Sequence, residues 1–144
     1  MKRVDDMVYL AGPYSHRLNR IRQRRYNQLT EVSARLLQNG VLNFSPITHS
    51  HNQQEFLEDF STGFDDWRRN DLAYVSRCEA VWVLMIPGWE KSYGVTEEIK
   101  FAKKNDIPVA YIHVLEDTLV VSSSKQNSNP RDIILVIEGE RSTL

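Results

Sequence analysis

Residues 80–86, Ala-Val-Trp-Val-Leu-Met-Ile, are apolar at every position. A strand with one wet face alternates apolar and polar side chains, so an unbroken run of this kind belongs to a strand covered on both faces. Such a strand needs helices above and below it, which restricts the chain to an α/β sandwich of three layers.

The remainder of the chain supplies those layers. Residues 7–11 are a short apolar run closed by Gly12-Pro13, a first strand and its turn. From Leu18 to Asn39 apolar residues recur at 18, 21, 26, 29, 32 and 36, the spacing of one helical face, and Asn39-Gly40 is a stop signal. Residues 41–44 form a second strand ended by Ser45-Pro46. Residues 52–60 are weakly helical around Phe56, Leu57 and Phe60, and Ser61-Thr62-Gly63 breaks that pattern. A clear helix runs from 65 to 76 and is expected to bury Trp67, Leu72 and Val75. Another carries Glu98 and extends to about residue 105. Residues 107–114 and 132–137 read as two more strands, with a polar, mobile loop over 122–130 between them. Strands alternating with helices imply right-handed crossovers. The expected fold is one domain over residues 1–144, with a five-stranded, mainly parallel sheet of flavodoxin-like or Rossmann-like type.

Composition excludes several classes of function. The net charge of −1 gives no global reason to expect nucleic-acid or membrane binding. A single cysteine, Cys78, forbids an internal disulfide and suggests a reducing compartment. Met1-Lys2-Arg3-Val4-Asp5-Asp6 lacks the apolar core of a signal peptide, and no run approaches the length of a membrane span, so a cytoplasmic location is expected.

In an open α/β sheet ligands bind at the carboxyl edge of the strands. The loops over 12–17, 45–51 and 87–94 should crowd that edge, and the residues able to do chemistry lie in or beside them. Gly12-Pro13-Tyr14-Ser15 follows the first strand; glycine admits a ligand to the backbone, and the next helix's N-terminus favours an anion. Alone, this stretch is more often a plain turn. It is not G-x-G-x-x-G, and no cofactor is expected. Arg17, Arg20 and Arg24 read mainly as a solvated helix face, from which one side chain can reach a phosphate. His49 and His51 form a bare H-x-H without a third ligand, so they are expected to line a substrate pocket and not a metal site. Cys78, with no base beside it, reads as a small core residue. Asp71 and Glu98 are the pair of interest. As isolated acids each reads as a surface charge, but two carboxylates at one anomeric carbon divide the work of cleaving a glycosidic bond, one attacking and the other handling protons.

In combination these residues resemble the nucleoside 2-deoxyribosyltransferase superfamily. The resemblance rests on Tyr9-Leu10-Ala11-Gly12-Pro13, then Asn70-Asp71-Leu72, then Gly94-x-x-x-Glu98-x-x-x-Ala102, in that order over residues 8–115. It implies Glu98 as the nucleophile, Asp71 as the acid beside sugar and base, Tyr9 as an aromatic hydroxyl near the nucleophile, and Gly12 in a substrate-contacting loop. It also implies a homodimer or larger homo-oligomer acting on a small-molecule substrate. Ser92-Tyr93-Gly94-Val95 departs from the acid that true transferases carry before the motif glycine, and resembles the Ser-x-Gly-Val stretch of 2′-deoxynucleoside 5′-monophosphate N-glycosidases. A serine hydroxyl and helix-terminal amides suit a 5′-phosphate that a carboxylate would repel. Phe44-Ser45-Pro46-Ile47-Thr48-His49-Ser50-His51, with Pro87-Gly88-Trp89-Glu90, resembles an uncharacterised bacterial and phage branch. The expected activity is hydrolysis of the base–sugar bond of a nucleoside monophosphate. Base exchange by a transferase and a non-catalytic module for a nucleotide or ADP-ribose-like ligand are the alternatives.

Overall fold

The computed structural model describes residues 6–58 and 64–139, so Ser61-Thr62-Gly63 lies outside the described residues. Strand β1 (Val8–Ala11) is followed by α1 (Asn19–Gln38), β2 (Asn43–Phe44), a short α2 (Pro46–Ser50) and a 3₁₀ segment (His51–Phe56). Then come α3 (Phe64–Val75), β3 (Ala80–Leu84), α4 (Tyr93–Lys104), β4 (Val109–Leu115), β5 (Thr118–Ser122) and β6 (Ile133–Ile137). Among the described residues no helix is long and apolar enough to cross a membrane.

The sheet order is β2-β1-β3-β4-β5-β6. The pairs β1–β2, β1–β3 and β3–β4 are parallel, with Tyr9 opposite Phe44 and Val81, and Trp82 opposite Ala110. The expected three-layer α/β sandwich is present, and its parallel part has the flavodoxin-like order. Two details of the expectation are corrected. The sheet has six strands and not five, and its last two pairings are antiparallel. The strand that sequence reading missed is β5. Only Glu116 and Asp117 separate it from β4, and two residues can close a hairpin but cannot cross over to a parallel position. Glu116 takes the left-handed φ of 54° that the tight turn requires, without the Asn-Gly or Asp-Gly signal that usually announces it. The polar loop therefore connects β5 to β6.

Period-two alternation assigns the two faces of the sheet. Val8 and Leu10 of β1, with Trp82, Leu84, Ala110 and Ile112, pack against Leu29, Val32 and Leu36 of α1. Tyr9 and Ala11, with Val81, Val83 and Tyr111, face Val75 of α3 and Val95 and Ala102 of α4. The α1 end is closed by Gly40 N–H on Leu37 carbonyl at 3.0 Å and Val41 N–H on Leu36 carbonyl at 2.9 Å, and this turn delays β2 to Asn43. Cys78 and Trp82 are buried as expected. Trp67 and Leu72 are only half-buried, because α3 turns its 71 and 75 positions inward instead.

Chain direction reverses between β1, whose connection leads outward to β2, and β3 on its other side, which makes the β1/β3 carboxyl edge the switch point of the sheet. Gly12 stands at that edge, and a β-carbon there would lie 2.5 Å from Cδ2 of Leu29, a fully buried side chain. Gly12→Ala is accordingly expected to lower the unfolding free energy by about 1–3 kcal/mol, through displacement of a core leucine. Urea denaturation checks this; an unchanged midpoint would contradict the tight contact.

Candidate active site

Helix α4 explains how a carboxylate reaches the interior. Its buried residues are Val95, Glu98 and Ala102, spaced by three and four, so Glu98 occupies the middle of an apolar stripe. Ser92 caps the helix, accepting a hydrogen bond from Val95 N–H at 3.2 Å on its side-chain oxygen. Helix α3 repeats the device: Phe64, Trp67, Asp71 and Val75 share one stripe, and only Asp71 and Val75 are buried. The two helices pack on one another and bring the acids together beneath β1.

Glu98 is 4% exposed and Asp71 8%. Glu98 Oε2 accepts a hydrogen bond from the hydroxyl of Tyr9, itself fully buried on the same face of the sheet. Burial pushes the Glu98 carboxyl up to about 8, the Tyr9 hydrogen bond pulls it down, and the charge of Asp71 adds to the rise. Burial likewise raises Asp71 to about 6, against a lowering by the hydrogen bond from Asn70 Nδ2 at 3.3 Å. The Tyr9 hydroxyl is raised well above the usual tyrosine range, chiefly by burial and then by Glu98, so it is a donor at every physiological pH. The arrangement is a pair of proton-holding carboxyls whose affinities differ, with the higher on Glu98, so a shared proton resides mainly there and the form with Asp71 protonated and Glu98 ionised is the minor one.

Both acids open into a cleft of about 530 Å³ at the β1/β3 switch point. Gly12, Tyr14 and Ser15 of the first loop line it, together with Ser92 and Gly94 at the start of α4. Its walls differ in character. Arg25, His16 and Lys91 supply basic groups, while Phe64, Trp67 and Tyr93 supply aromatic ones. Phe64 and Tyr93 meet edge to face with centroids 5.9 Å apart.

Four residues expected at the site are not among the side chains lining the cleft: Tyr9, which is fully buried and reaches the site through Glu98, and Arg17, His49 and His51. Arg17 is exposed with Arg20 and Arg24 on the outer face of the first loop and α1. The stretch read as a second loop is helical, because Pro46 occupies the first turn of α2. That turns His49 outward, with its ring 5.5 Å from Phe44. His51 stacks on Tyr26 at 4.1 Å and is hydrogen-bonded through Nδ1 to the Tyr14 hydroxyl at 2.6 Å, so it bears on the cleft through Tyr14. The two histidines thus have different neighbours. Trp89 packs on Tyr111 at 5.8 Å, away from the cleft.

Arg25 is one of several cleft residues that the sequence motifs do not mark. A signal for it existed: extending the buried stripe of α1 backwards from 36, 32 and 29 leads to position 25, where an arginine replaces an apolar residue.

A family model described as a domain of unknown function, DUF1937, matches residues 6–114 of the chain. No curated protein matches it. A solved structure similar to it is a 2-deoxyribosyltransferase from the psychrotolerant bacterium Bacillus psychrosaccharolyticus, described as a biocatalyst for nucleoside synthesis. The identity is 18%, the TM-score 0.49, and the match covers 73% of this chain and 70% of that one. The likeness is one of fold.

Proposed function

We propose that this chain, which belongs to the DUF1937 family, is an N-glycosidase that hydrolyses the base–sugar bond of a ribo- or deoxyribonucleoside 5′-monophosphate. The observation that carries the reading is Glu98: a carboxylate in an otherwise apolar stripe, held by Tyr9 beside a second buried acid, in the wall of a cleft. Burying an acid in this way costs stability, and such groups concentrate at sites of chemistry. Ionised Glu98 attacks C1′ while the bond to the base breaks, and the protonated Asp71 delivers its proton to the departing base. Water, deprotonated by the Asp71 carboxylate, then adds to C1′ and releases Glu98. The sum is nucleotide plus water giving free base and sugar 5-phosphate.

The preference for a phosphate is supported by Ser92 at the N-terminus of the twelve-residue α4, by Lys91 next to it in the chain, and by Arg25 lining the same cleft. The aromatic wall suits a planar base. We also infer a single catalytic domain over residues 1–144, working in the cytoplasm as a homodimer or larger homo-oligomer; the lone buried Cys78 and the family resemblance support this.

Chromatography of free base released from a panel of nucleosides and their 5′-monophosphates, with and without an acceptor base, tests the proposal. Release from monophosphates is expected to be at least about tenfold faster than from the matching nucleosides, as loss of one charged contact implies. Release from nucleosides alone would refute the phosphate reading. New nucleoside formed from the acceptor base would convert the hydrolase into a transferase. Tight binding without any release would leave a ligand-binding module.

A further inference from the structure

The first and third loops form opposite lips of the cleft, and one side chain touches both. Arg25 leaves α1 at a half-buried position on its inward stripe. Its Nη1 donates to the carbonyl of Ser15 at 2.9 Å and to that of Tyr14 at 3.4 Å, in the loop after β1. Its Nη2 donates to the carbonyl of Pro87 at 3.4 Å, in the loop after β3. Gly88, with a φ of 97°, passes directly over the guanidinium, so that a β-carbon at 88 would collide with Nη2. Among the described residues no carboxylate pairs with Arg25. A planar fork with five donors can satisfy several carbonyls from two segments at once, whereas a lysine ammonium is a point charge on a flexible stem.

We propose that Arg25 is the positioning residue of the cleft, a clamp that ties the lip made by Tyr14 and Ser15 to the lip made by Pro87 and Gly88 and so sets the affinity for substrate. The inference rests on the nucleotide-cleaving reading for its kinetic consequence but not for its structural one. The clamp acts on the lips, not on Glu98 and Asp71, so it governs KM and leaves kcat near its native value. Its unpaired charge stays at the mouth, where it favours an anionic ligand.

The test compares Arg25→Ala and Arg25→Lys with the native chain by hydrogen exchange and by steady-state kinetics on the best monophosphate, after circular dichroism and melting show which variants fold. In both variants amide exchange over residues 12–17 and 86–92 is expected to rise together, with KM increased about tenfold or more and kcat changed less than about threefold. A lysine variant with native exchange and native KM would mean that charge alone matters and would overturn the clamp. So would exchange that rises in one loop only or in neither, or a fall in kcat at constant KM. Should the alanine variant not fold, the lysine variant carries the same decision. Should the native protein release no base at all, the nucleotide reading fails, while the exchange data still judge the clamp.

Discussion

Glu98→Gln is expected to lower base release by at least about a thousandfold and, in the same protein, to raise stability at alkaline pH. The loss follows from the chemistry, since an amide cannot attack C1′. The gain follows from linkage. In the folded chain the Glu98 carboxyl holds its proton to about pH 8, against an ordinary value of 4.5. Between these values the folded state binds a proton that the unfolded state has released, so the unfolding free energy falls as pH rises. The cost is absent below the lower value and complete above the upper one. Over that window it is on the order of 4–5 kcal/mol, at about 1.4 kcal/mol per pH unit. Glutamine has nearly the same shape, can accept the Tyr9 hydrogen bond and carries no titration. Denaturation at pH 5 and pH 9 checks the prediction: variant and native chain should be close at the lower pH and well separated at the higher. A glutamine variant no more stable than the native chain at pH 9 would show that the carboxylate is not buried uncompensated.

The second large effect is on the pH dependence of kcat/KM, which should be bell-shaped with limbs near 6 and 8, the values to which burial moves Asp71 and Glu98. The pair titrates as a unit, and the active form carries one proton, on Asp71, with Glu98 ionised. Below the acid limb both carboxyls are protonated and no nucleophile exists; above the alkaline limb both are ionised and the base departs without a proton. Because the deeper burial of Glu98 attracts the shared proton, the productive arrangement is the minor one of the two singly protonated forms. Asp71→Asn removes the acid and also the like charge that raises Glu98. Its profile should lose the alkaline fall and become a single rise with a midpoint below 8, at a rate reduced about 10²–10⁴-fold. A profile for this variant that still falls at high pH would assign the acid to another group.

Both effects depend on how the two acids are buried, and that burial is only partly legible in the sequence. The spacing Val95, Glu98, Ala102 places a carboxylate on the apolar stripe of α4, and Asp71 with Val75 does the same on α3. These stripes say that the residues face inward, but not what they meet. The hairpin of β4 and β5 is not legible in the sequence because its two-residue turn has no sequence signal of the usual kind. The expectation that His49 and His51 line the pocket differs from the structure because Ser45-Pro46, which looks like the end of a strand, also starts a helix at Pro46.

By itself the sequence determined the layers of the fold, a central strand within 80–86 and the helices around it, because periods of 2 and 3.6 are properties of neighbouring residues; the two acids stand out through their motifs and the resemblance those carry. Only the tertiary structure decided that Tyr9 reaches Glu98 across 89 residues of chain, and that Arg25 spans 62 residues to Pro87. Those contacts depend on the order of strands in the sheet, which brings β1 beside β3 and folds α3 and α4 over one face. A hydrophobic period reports which side of an element is covered; the covering group is set by the topology of the whole chain.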